Sequence, residues 1–554
     1  MKEHRLKKSY HRNNSDTIED KMMEQTRENL FQEKTTERVR KRKKRTPSEP
    51  VFKPYTQHQT MMLPPSLEEC IPESHMVRVV NKTIDGLNIE SLVATYKGGG
   101  SSSYHPSMMV KVLVYAYLSK VYSSRLIAKA LRENVNYMWL SGMQRPDFRT
   151  INIFRSSRLK GVIDQVFGSM VEFCIENKYI KLENYFVDGT KMEANARKTS
   201  YVWSKNTERY KEATQKKIKE LLEHIEEVNR QENAEYGESD LEELGHDSTL
   251  TSEKLKEQIE KLNTIISPSK PKKKALKELQ MKQLPKLERY EEQERLFAGR
   301  KSYSKTDTDA TFFRMKNDQL LPAYNVMIGT ENQFILNYSI HQKASESDQF
   351  IGHLSKLTTT LGLLPESVVG DAGYGSEENY AFLEEYGVGN YLKYNTYHRE
   401  KTKKHRDNRY HRDNFPYDEV TDRYRCPEGR ELLFNRIGQQ TTDNGYQQEM
   451  RIYEGIDCRG CPVASQCKKG VGNRTLSVNP QLERYRAQAR ANLASEEGIV
   501  LRRKRGVDVE SVFGDIKMNQ GYRKFRLRGC EKVNVEFGLL SMAHNMKKIA
   551  LTIH

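Results

Sequence analysis

A short β-type run decides the fold class: Tyr185-Phe186-Val187-Asp188-Gly189-Thr190-Lys191. Two further strands are predicted at 323–328 and 334–338, and the residues between them have the composition of a hairpin turn. A fourth apolar run, Ser367-Val368-Val369-Gly370-Asp371-Ala372-Gly373-Tyr374-Gly375, precedes a helix that is predicted to begin near residue 376. Strands interleaved with helices predict an α/β fold.

Two of these runs carry an aspartate at their predicted ends, and a third acidic residue follows much later. Asp188 and Asp371 are expected at strand ends, and Glu510 lies on a predicted helix with an apolar face. If the three converge, they could hold two Mg²⁺ ions, because this hard cation takes oxygen ligands. Such a metal pair supports phosphodiester chemistry. For any one aspartate the alternative is a simple turn cap, so the prediction depends on the three together.

Composition narrows the class of protein. The chain has 554 residues, with 92 Lys and Arg against 75 Asp and Glu, and a formal net charge of +17. Its mean hydropathy is −0.82 and its pI is about 9.2. The length suggests three or four structural units, and no run approaches the roughly 18 apolar residues of a membrane span. No secretory signal is predicted, so we expect an intracellular protein that meets a polyanion, most simply nucleic acid.

Residues 1–50 form a polar segment that ends in a basic run, Arg40-Lys41-Arg42-Lys43-Lys44-Arg45. The segment lacks sustained apolar periodicity, so no single fold is expected for it. Two interpretations stay open: a solvated, disordered tail, or an arm that slides along phosphates.

Residues 51–180 predict a helical DNA-binding domain. Two short helices, 125–131 and 148–159, are joined by a polar turn. We expect the inner side of the first to carry Leu126, Ile127, Ala130 and Leu131. The second carries three arginines that are candidate DNA contacts: Arg149, Arg155 and Arg158. This pattern is typical of a helix-turn-helix unit in a major groove, or of a helical bundle with a solvated basic face.

The range 205–299 has the composition of long surface helices. Apolar residues follow a heptad step in two groups: Ile218, Leu221, Ile225 and Val228, then Leu255, Ile259, Leu262 and Ile266. A break rich in Gly, Ser and Asp separates the groups at 237–249. We predict an antiparallel helical hairpin inserted into another domain, with a packing role.

Four cysteines cluster in a small predicted insertion at 396–480: Cys426, Cys458, Cys461 and Cys467. The CxxC spacing of the middle pair lets two thiolates reach one tetrahedral ion, and the outer two would complete a structural Zn²⁺ site. Free thiols are the alternative. The remaining cysteines, Cys70, Cys174 and Cys530, are scattered and are expected to act as small hydrophobes.

Basic residues surround Glu510. Between Arg484 and Lys548 there are 15 Lys or Arg and 7 acidic residues, a net of +8 (15 − 7). Aromatic residues interleaved with arginines favour backbone tracking plus stacking on distorted bases, whereas a solvated helical face is the alternative. The candidate DNA contacts are Arg502, Arg503, Arg505, Tyr522, Arg523, Arg526 and Arg528. The basic stretch 391–417 is interpreted as a DNA contact or as a mobile loop.

Several blocks occur in one order along the chain: Tyr104-His105-Pro106, Trp139-Leu140-Ser141-Gly142, Pro146-Asp147-Phe148-Arg149-Thr150, Val187-Asp188-Gly189-Thr190-Lys191, Gly370-Asp371-Ala372-Gly373-Tyr374 and Glu510-Ser511-Val512-Phe513-Gly514-Asp515-Ile516-Lys517. Together they closely resemble bacterial insertion-sequence transposases of the DDE class. The nearest match looks like the IS-eleven-eighty-two group. The resemblance covers roughly residues 51 to 545.

The resemblance implies a ribonuclease-H-like catalytic core, a mixed sheet flanked by helices. Its first parts would be 181–204 and 300–395, and C-terminal catalytic helices at 481–554 would carry the glutamate. It implies Asp188, Asp371 and Glu510 as the triad that binds two Mg²⁺ (or Mn²⁺) ions. Lys517, seven positions after the glutamate (517 − 510 = 7), matches a lysine of related families and is a further candidate DNA contact. The upstream Tyr and Arg of those families are not matched, because Arg503 and Gly506 stand at those offsets.

We therefore expect a transposase that binds the terminal inverted repeats of its own element, cleaves the DNA and joins the 3′-hydroxyl ends to target DNA. Two DNA ends must be handled together, so a homodimer is expected. The expected location is the bacterial cytoplasm, at the nucleoid. Two alternatives stay open: a metal-dependent nuclease that does not join DNA, and a non-catalytic DNA-binding regulator derived from a transposase.

Overall fold

The chain divides into two units in the computed structural model, residues 1–63 and Pro64–His554. The residues that the structure describes all belong to the second unit: 66–96, 102–236, 250–265 and 270–553. The expected basic tail at 1–50 and the break at 237–249 lie outside them. No helix within these ranges is long and apolar enough to cross a membrane.

Strands and helices are numbered in chain order. The strands are β1 (Asn184–Glu193), β2 (Tyr201–Trp203), β3 (Ser302–Ser304), β4 (Thr311–Arg314), β5 (Leu320–Glu331), β6 (Phe334–His341), β7 (Ser367–Gly370), β8 (Gly389–Leu392), β9 (Tyr417–Asp418), β10 (Arg423–Arg425), β11 (Glu431–Thr441), β12 (Gln447–Gly455) and β13 (Thr475–Val478). The helices of the first half are α1 (Met76–Asp85), α2 (Glu90–Val93), α3 (Pro106–Leu118), α4 (Ser124–Glu133), α5 (Val135–Leu140), α6 (Phe148–Ile153), α7 (Ile163–Glu176), α8 (Ser204–Tyr236), α9 (Ser252–Ile265), α10 (Lys270–Glu278) and α11 (Leu284–Phe297). Those of the second half are α12 (Phe350–Leu361), α13 (Glu377–Glu385), α14 (Lys403–Arg406), α15 (Ala464–Cys467), α16 (Pro480–Ala494), α17 (Glu496–Arg505), α18 (Ser511–Gly514) and α19 (Cys530–Ile553).

A six-stranded mixed sheet lies at the centre of the second unit. β5 pairs antiparallel with β1 on one side and with both β4 and β6 on the other. β1 also pairs in parallel with β7, and β7 with β8. Every residue of β5 after Leu320 is buried, so both faces of this strand are covered. The sheet and its flanking helices confirm the predicted mixed α/β fold.

One hydrophobic core joins the N-terminal helices, the mixed sheet and the C-terminal helix. α3 is apolar on nearly every face and is buried, which its composition explains. α19 packs against α3, α7 and β6. The helices before residue 180 therefore share their core with the sheet, and no gap in the core marks the expected domain boundary there.

The predicted helix-turn-helix region is helical, with three differences from the prediction. The polar turn expected between the two helices contains a further helix, α5. The helix expected at 148–159 consists of α6 followed by a π-helical turn, Phe154–Arg158. Leu126 of α4 is 56% exposed, whereas Ala128 is buried. The prediction for Leu126 was wrong, because the buried face of α4 is formed by Ile127, Ala128 and Leu131, and Leu126 lies off that face. The prediction for Ile127 and Leu131 is confirmed.

Within the described part of the insertion, four helices, α8 to α11, lie between β2 and β3, so the predicted two-helix hairpin is too simple. β2 and β3 pair antiparallel at the base of the insertion. α8 packs against α10 and α11, and α9 against α11, which gives the insertion a core of its own. Leu222 is more deeply buried than Leu221 in α8, and the expected heptad residue Ile266 lies outside the described residues.

A five-stranded antiparallel sheet, in the order β13-β12-β11-β10-β9, follows the mixed sheet in the chain. Its small core consists of Phe415, Leu432, Tyr453 and Leu476. The clustered cysteines belong to this region, and three of its described turns are closed by glycines with positive φ, at 429, 445 and 460.

The chain from α17 through α18 continues as one helical path to Asn519, interrupted by two π-helical turns, Gly506–Glu510 and Asp515–Asn519. π-turns inside α-helices are frequent at functional sites. The first turn ends at Glu510 and packs against β1 and β5, and Lys517 of the second turn contacts β1.

Candidate active site

The register of two neighbouring parallel strands brings Asp188 and Asp371 together. Phe186 of β1 is paired with Val369 of β7, and the same register continued by two residues sets Asp188 opposite Asp371. Adjacent strands lie about 4.8 Å apart. The two carboxylates therefore start from neighbouring backbone positions, although 183 residues separate them in the chain (371 − 188 = 183).

Only one of the two aspartates lies at a strand end as expected. Asp371 follows β7 directly, and its Oδ1 accepts a hydrogen bond from the Gly373 backbone N–H at 2.8 Å. Asp188 lies in the middle of β1, which continues to Glu193 because its antiparallel pairing with β5 extends that far. The expectation of a strand end at Asp188 was wrong, because the strand continues for five residues beyond it.

The helical path after α17 carries Glu510 to the same place. Buried Asp508 anchors it, because its Oδ1 accepts hydrogen bonds from the Thr330 hydroxyl at 2.7 Å and the Gln333 backbone N–H at 2.9 Å. The π-turn changes the helical phase, so residues five apart face the same way. Arg505 and Glu510 have this spacing and form an ion pair at 3.1 Å.

The Arg505 guanidinium bridges the strand and the helix. Its second terminal nitrogen lies 3.7 Å from Asp188 Oδ1. The Arg505 side chain is only 11% exposed, so this contact takes place away from bulk water. Arg505 was predicted as a DNA contact, but in this arrangement its charge faces the carboxylates.

A fourth carboxylate, Glu346, was not found from the sequence. A methyl group built on Gly189 would lie 2.5 Å from its Oε1, so the residue after Asp188 has to be a glycine for Glu346 to approach. Burial raises the pKa of Glu346, and the nearby charges of Asp188 and Asp371 raise it further. In the sequence, Glu346 is an acidic residue shortly after β6 with no motif around it, so there was little reason to select it as a site residue.

The electrostatics of the cluster favour added positive charge. Burial raises the pKa of Asp188 to about 6, with further contributions from Asp371 and Glu510, while Arg505 acts in the opposite direction. Carboxylates that raise one another's pKa are a feature of functional sites. A cation bound among them would relieve this repulsion.

The donor set fits a hard divalent cation, because it consists of carboxylate oxygens. Among the residues that the structure describes, three metal-binding side chains bring ligand atoms within 4.8 Å of one another only at His405, His411 and Asp413. The carboxylates of the candidate active site stand further apart, and the guanidinium of Arg505 lies between two of them. Binding of an ion there would require these side chains to close around it.

Lys517 lies beside the cluster and is already bonded. Its Nζ donates to the Thr190 hydroxyl at 2.5 Å and to the Lys191 carbonyl at 3.1 Å. Burial lowers the pKa of Lys517 to about 8, and the nearby charge of Lys316 adds to this effect. These contacts tie the helical path to β1, so a role in DNA contact stays a prediction.

Two of the residues that were predicted to contact DNA are buried, so the prediction was wrong for both. Arg155 is 4% exposed, and it donates to the Tyr122 carbonyl at 2.9 Å and to the Tyr117 hydroxyl at 3.3 Å. Tyr522 is 1% exposed and packs edge-on against Tyr122. Neither side chain can reach a base or a phosphate from this position. The spacing of Arg155 from the buried Ile151, one helical turn earlier, could have indicated burial.

The other predicted DNA contacts differ in exposure. Five are exposed: Arg149, Arg503, Arg523, Arg526 and Arg528. Two are partly covered and donate to backbone carbonyls, Arg158 to Thr95 and Arg502 to Gly498. For all seven arginines, contact with DNA stays a prediction.

The four clustered cysteines line one cavity of the five-stranded sheet region. Cys426 Sγ accepts a hydrogen bond from the Arg430 backbone N–H and Cys458 Sγ from that of Arg474, each at 3.3 Å. Burial raises the pKa of Cys467, with a further rise from the other three thiols. Four thiols around one cavity fit a soft metal ion chemically, although no three of the sulfurs come within 4.8 Å of one another. Of the remaining cysteines, Cys70 is exposed.

Two regions of the chain match protein families. Residues 425–550 match the transposase DDE domain, and residues 65–157 match the transposase domain DUF772. Both matches support a bacterial-type transposase. The first transposase match contains Glu510 and all four clustered cysteines, and the second contains the helices α1 to α6. The DDE domain implies use of a divalent metal, generally Mg²⁺, and transposases act on DNA. No curated protein matches the chain.

Proposed function

We propose that this transposase binds the ends of its own insertion sequence, cleaves the DNA there and joins the 3′-hydroxyl ends to target DNA. The observation that carries the proposal is that Asp188 of β1 and Glu510 of the helical path share the Arg505 guanidinium, while Asp371 directly follows the neighbouring parallel strand β7. We assign these three residues as the catalytic carboxylates. They lie far apart in the chain, and a simple turn-capping role would give no reason for them to meet.

The carboxylates would hold the divalent ions through their oxygens, and Glu346 would stand beside them. When bound, two such ions supply activation of the attacking oxygen and stabilisation of the leaving oxygen. Arg505 would release Asp188 and Glu510 as the ions enter and would then face the phosphodiester. Water would hydrolyse the first strand, and the freed 3′-hydroxyl would attack target DNA at the same site.

The proposal includes a ribonuclease-H-like core and a kinship with the IS-eleven-eighty-two group. The sheet order supports the first: three antiparallel strands, β6, β5 and β1, continue into the parallel strands β7 and β8. The order of sequence blocks supports the second. Exposed arginines on α6 and around Glu510 would bind the DNA phosphates.

The decisive experiment incubates the full chain with Mg²⁺ and DNA that carries the inverted repeats flanking its reading frame, and maps the nicks. Asp188→Asn should lower cleavage by about 10³-fold or more, because carboxylates that act as a unit fail together. Binding of the same DNA should stay within about twofold. Asp443→Asn, an exposed aspartate in the turn between β11 and β12, is the matched control and should cleave normally. Cleavage retained in Asp188→Asn would show that the metal site is misassigned.

A strand-transfer assay separates the proposal from its two rivals. Ends that are already nicked, with a free 3′-hydroxyl, are offered to a supercoiled target plasmid. Joined products support a transposase. Hydrolysis without joining would indicate a nuclease, and DNA binding without either reaction would indicate a regulator. Light scattering with and without end DNA tests the proposed homodimer.

We further propose that the four clustered cysteines bind a structural Zn²⁺ ion. A closed set of four thiolates leaves no position for substrate, so the ion would act as a scaffold of the five-stranded sheet. A chain with all four changed to serine should lose about one zinc per molecule and unfold at a lower temperature. Cys70→Ser, at an exposed cysteine, is the control. Undiminished thermal stability of the fourfold variant would remove the zinc proposal.

A further inference from the structure

We propose that His405, His411 and Asp413 form a second transition-metal site, best suited to Zn²⁺, which is separate from both the carboxylate cluster and the cysteines. The three residues lie in the stretch between β8 and β9, whose basic composition favours a DNA contact or a mobile loop. Within the described residues, this is the group whose ligand atoms lie within 4.8 Å of one another. The inference does not depend on the proposed transposition activity.

The distances match a metal-binding geometry. Asp413 Oδ2 lies 3.5 Å from His405 Nε2 and 3.4 Å from His411 Nδ1. Ligand atoms around a tetrahedral Zn²⁺ ion, each about 2.0–2.1 Å from the metal, lie about 3.3 Å apart. The two imidazole rings also lie side by side, with centroids 4.5 Å apart. Little movement is needed for all three atoms to contact one ion.

A buried nitrogen without a partner points into the cluster. The His405 side chain is 5% exposed, and its Nε2 has no hydrogen-bond partner. Leaving such a group unsatisfied costs about 1–3 kcal/mol, so buried polar atoms without partners call for an explanation. The Asp413 carboxylate oxygen lies 3.5 Å from this nitrogen, which is too long for a good hydrogen bond. A metal ion would satisfy the nitrogen.

The surrounding contacts orient the three side chains. Thr402 caps α14 by accepting from the His405 backbone N–H, and the Asn414 side chain donates to the His405 carbonyl at 2.8 Å. Arg412 Nε donates to Asp413 Oδ1 at 3.2 Å, which leaves Oδ2 to face the histidines. Such outer contacts to a ligating carboxylate are usual in metal sites. His411 Nδ1 also accepts from the Asp413 backbone N–H at 3.4 Å, a long bond that the metal would replace.

A metal ion at this site would stabilise the segment that connects β8 of the mixed sheet with β9 of the five-stranded sheet. Arg412 donates to the Ser477 carbonyl at the edge of the five-stranded sheet, and Phe415 lies in the core of that sheet. The segment is ordered by such single contacts rather than by strands. One ion held by three residues within nine positions would hold its turns together (413 − 405 + 1 = 9).

Zinc content provides the first test. The full chain is produced with ZnCl₂, dialysed, and its zinc per molecule is measured by mass spectrometry. Both His405→Gln and His411→Gln should contain one zinc fewer than the unmodified chain, and His398→Gln, at an exposed histidine of the same segment, should not. His411 is partly exposed, so its variant keeps the test valid if the buried His405 variant fails to fold. Equal zinc content in all four chains would overturn the proposal.

Cobalt spectroscopy distinguishes this site from the cysteines. In the chain with the four clustered cysteines changed to serine, CoCl₂ should give visible absorption without sulfur-to-cobalt charge transfer. Adding His411→Gln to that chain should remove the absorption, and adding His398→Gln should leave it. Absence of cobalt absorption before the histidine is changed would also overturn the proposal.

Discussion

Two aspartates, one on β1 beside the helical path and one on the path itself, have opposite electrostatic surroundings. Asp188 on β1 faces other carboxylates, and burial raises its pKa to about 6. Asp515, at the start of the second π-turn, is held far below its ordinary pKa, mainly by the nearby His544 and then by Lys547, Asn519 and Gln520. Lys547 Nζ and the Gln520 amide each donate to its carboxylate at 2.8 Å.

The difference distinguishes an aspartate that stabilises the fold from one that is suited to bind a ligand. The surroundings of Asp515 satisfy its charge, so its ionisation stabilises the fold. Those of Asp188 leave its charge poorly compensated, with one arginine shared between two acids. A fold keeps an unfavourable arrangement of this kind where a ligand later compensates it, which supports a cation-binding role for the Asp188 cluster.

Asp515→Asn should have the largest effect on stability. We expect a loss of about 3 kcal/mol in the free energy of unfolding at pH 7, because Lys547 loses its counter-charge and His544 loses a polar partner. The folded-state pKa is depressed, so the stabilisation is present above about pH 4 and is lost as the pH falls below that value. Urea unfolding at pH 7 and at pH 3 measures it. A variant as stable as the unmodified chain at pH 7 would show that this cluster is not stabilising.

Asp188→Asn should change stability in the opposite direction in metal-free buffer with a chelator. The folded-state pKa is raised from about 3.9 to about 6, so ionisation of Asp188 opposes folding. The penalty is absent below about pH 4 and complete above about pH 6. We expect the variant to be about 2 kcal/mol more stable at pH 8 and equal at pH 4, with Asp443→Asn unchanged. A destabilised variant at pH 8 would contradict the comparison.

Of the three substitutions, Glu346→Gln should have the smallest effect, and that effect is on the Mg²⁺ concentration needed for cleavage. Removing one acid beside Asp188 and Asp371 lowers the negative charge that attracts a divalent ion. We expect about a tenfold increase in the Mg²⁺ concentration that gives half-maximal cleavage, the lower end of the range for residues around metal ligands. Titration of Mg²⁺ in the nicking assay measures it, with Glu385→Gln, an exposed glutamate at the end of α13, as the control. An unchanged Mg²⁺ requirement would exclude Glu346 from the site.

Local pattern was enough to predict most elements of the mixed sheet. The alternation and apolar runs at 185–191, 323–328, 334–338 and 367–370 all lie within β1, β5, β6 and β7. These segments are buried on both sides or paired along their length, so local propensity and tertiary packing agree. Where the two disagree, prediction failed: Arg155 and Tyr522 have polar groups typical of a surface, but α19 and α3 enclose them.

By itself, the sequence determined the α/β class, the basic character, the cysteine cluster and the three acids that are candidates for catalysis, because each depends on residue type and short-range spacing. Only the tertiary structure decided which groups meet. The parallel register of β1 and β7 aligns Asp188 with Asp371. A π-turn places Glu510 and Arg505 on the same face of the helical path. The absence of a side chain at Gly189 leaves room for Glu346. Strand register, helical phase and close approach arise from packing between distant segments, and no local pattern encodes them.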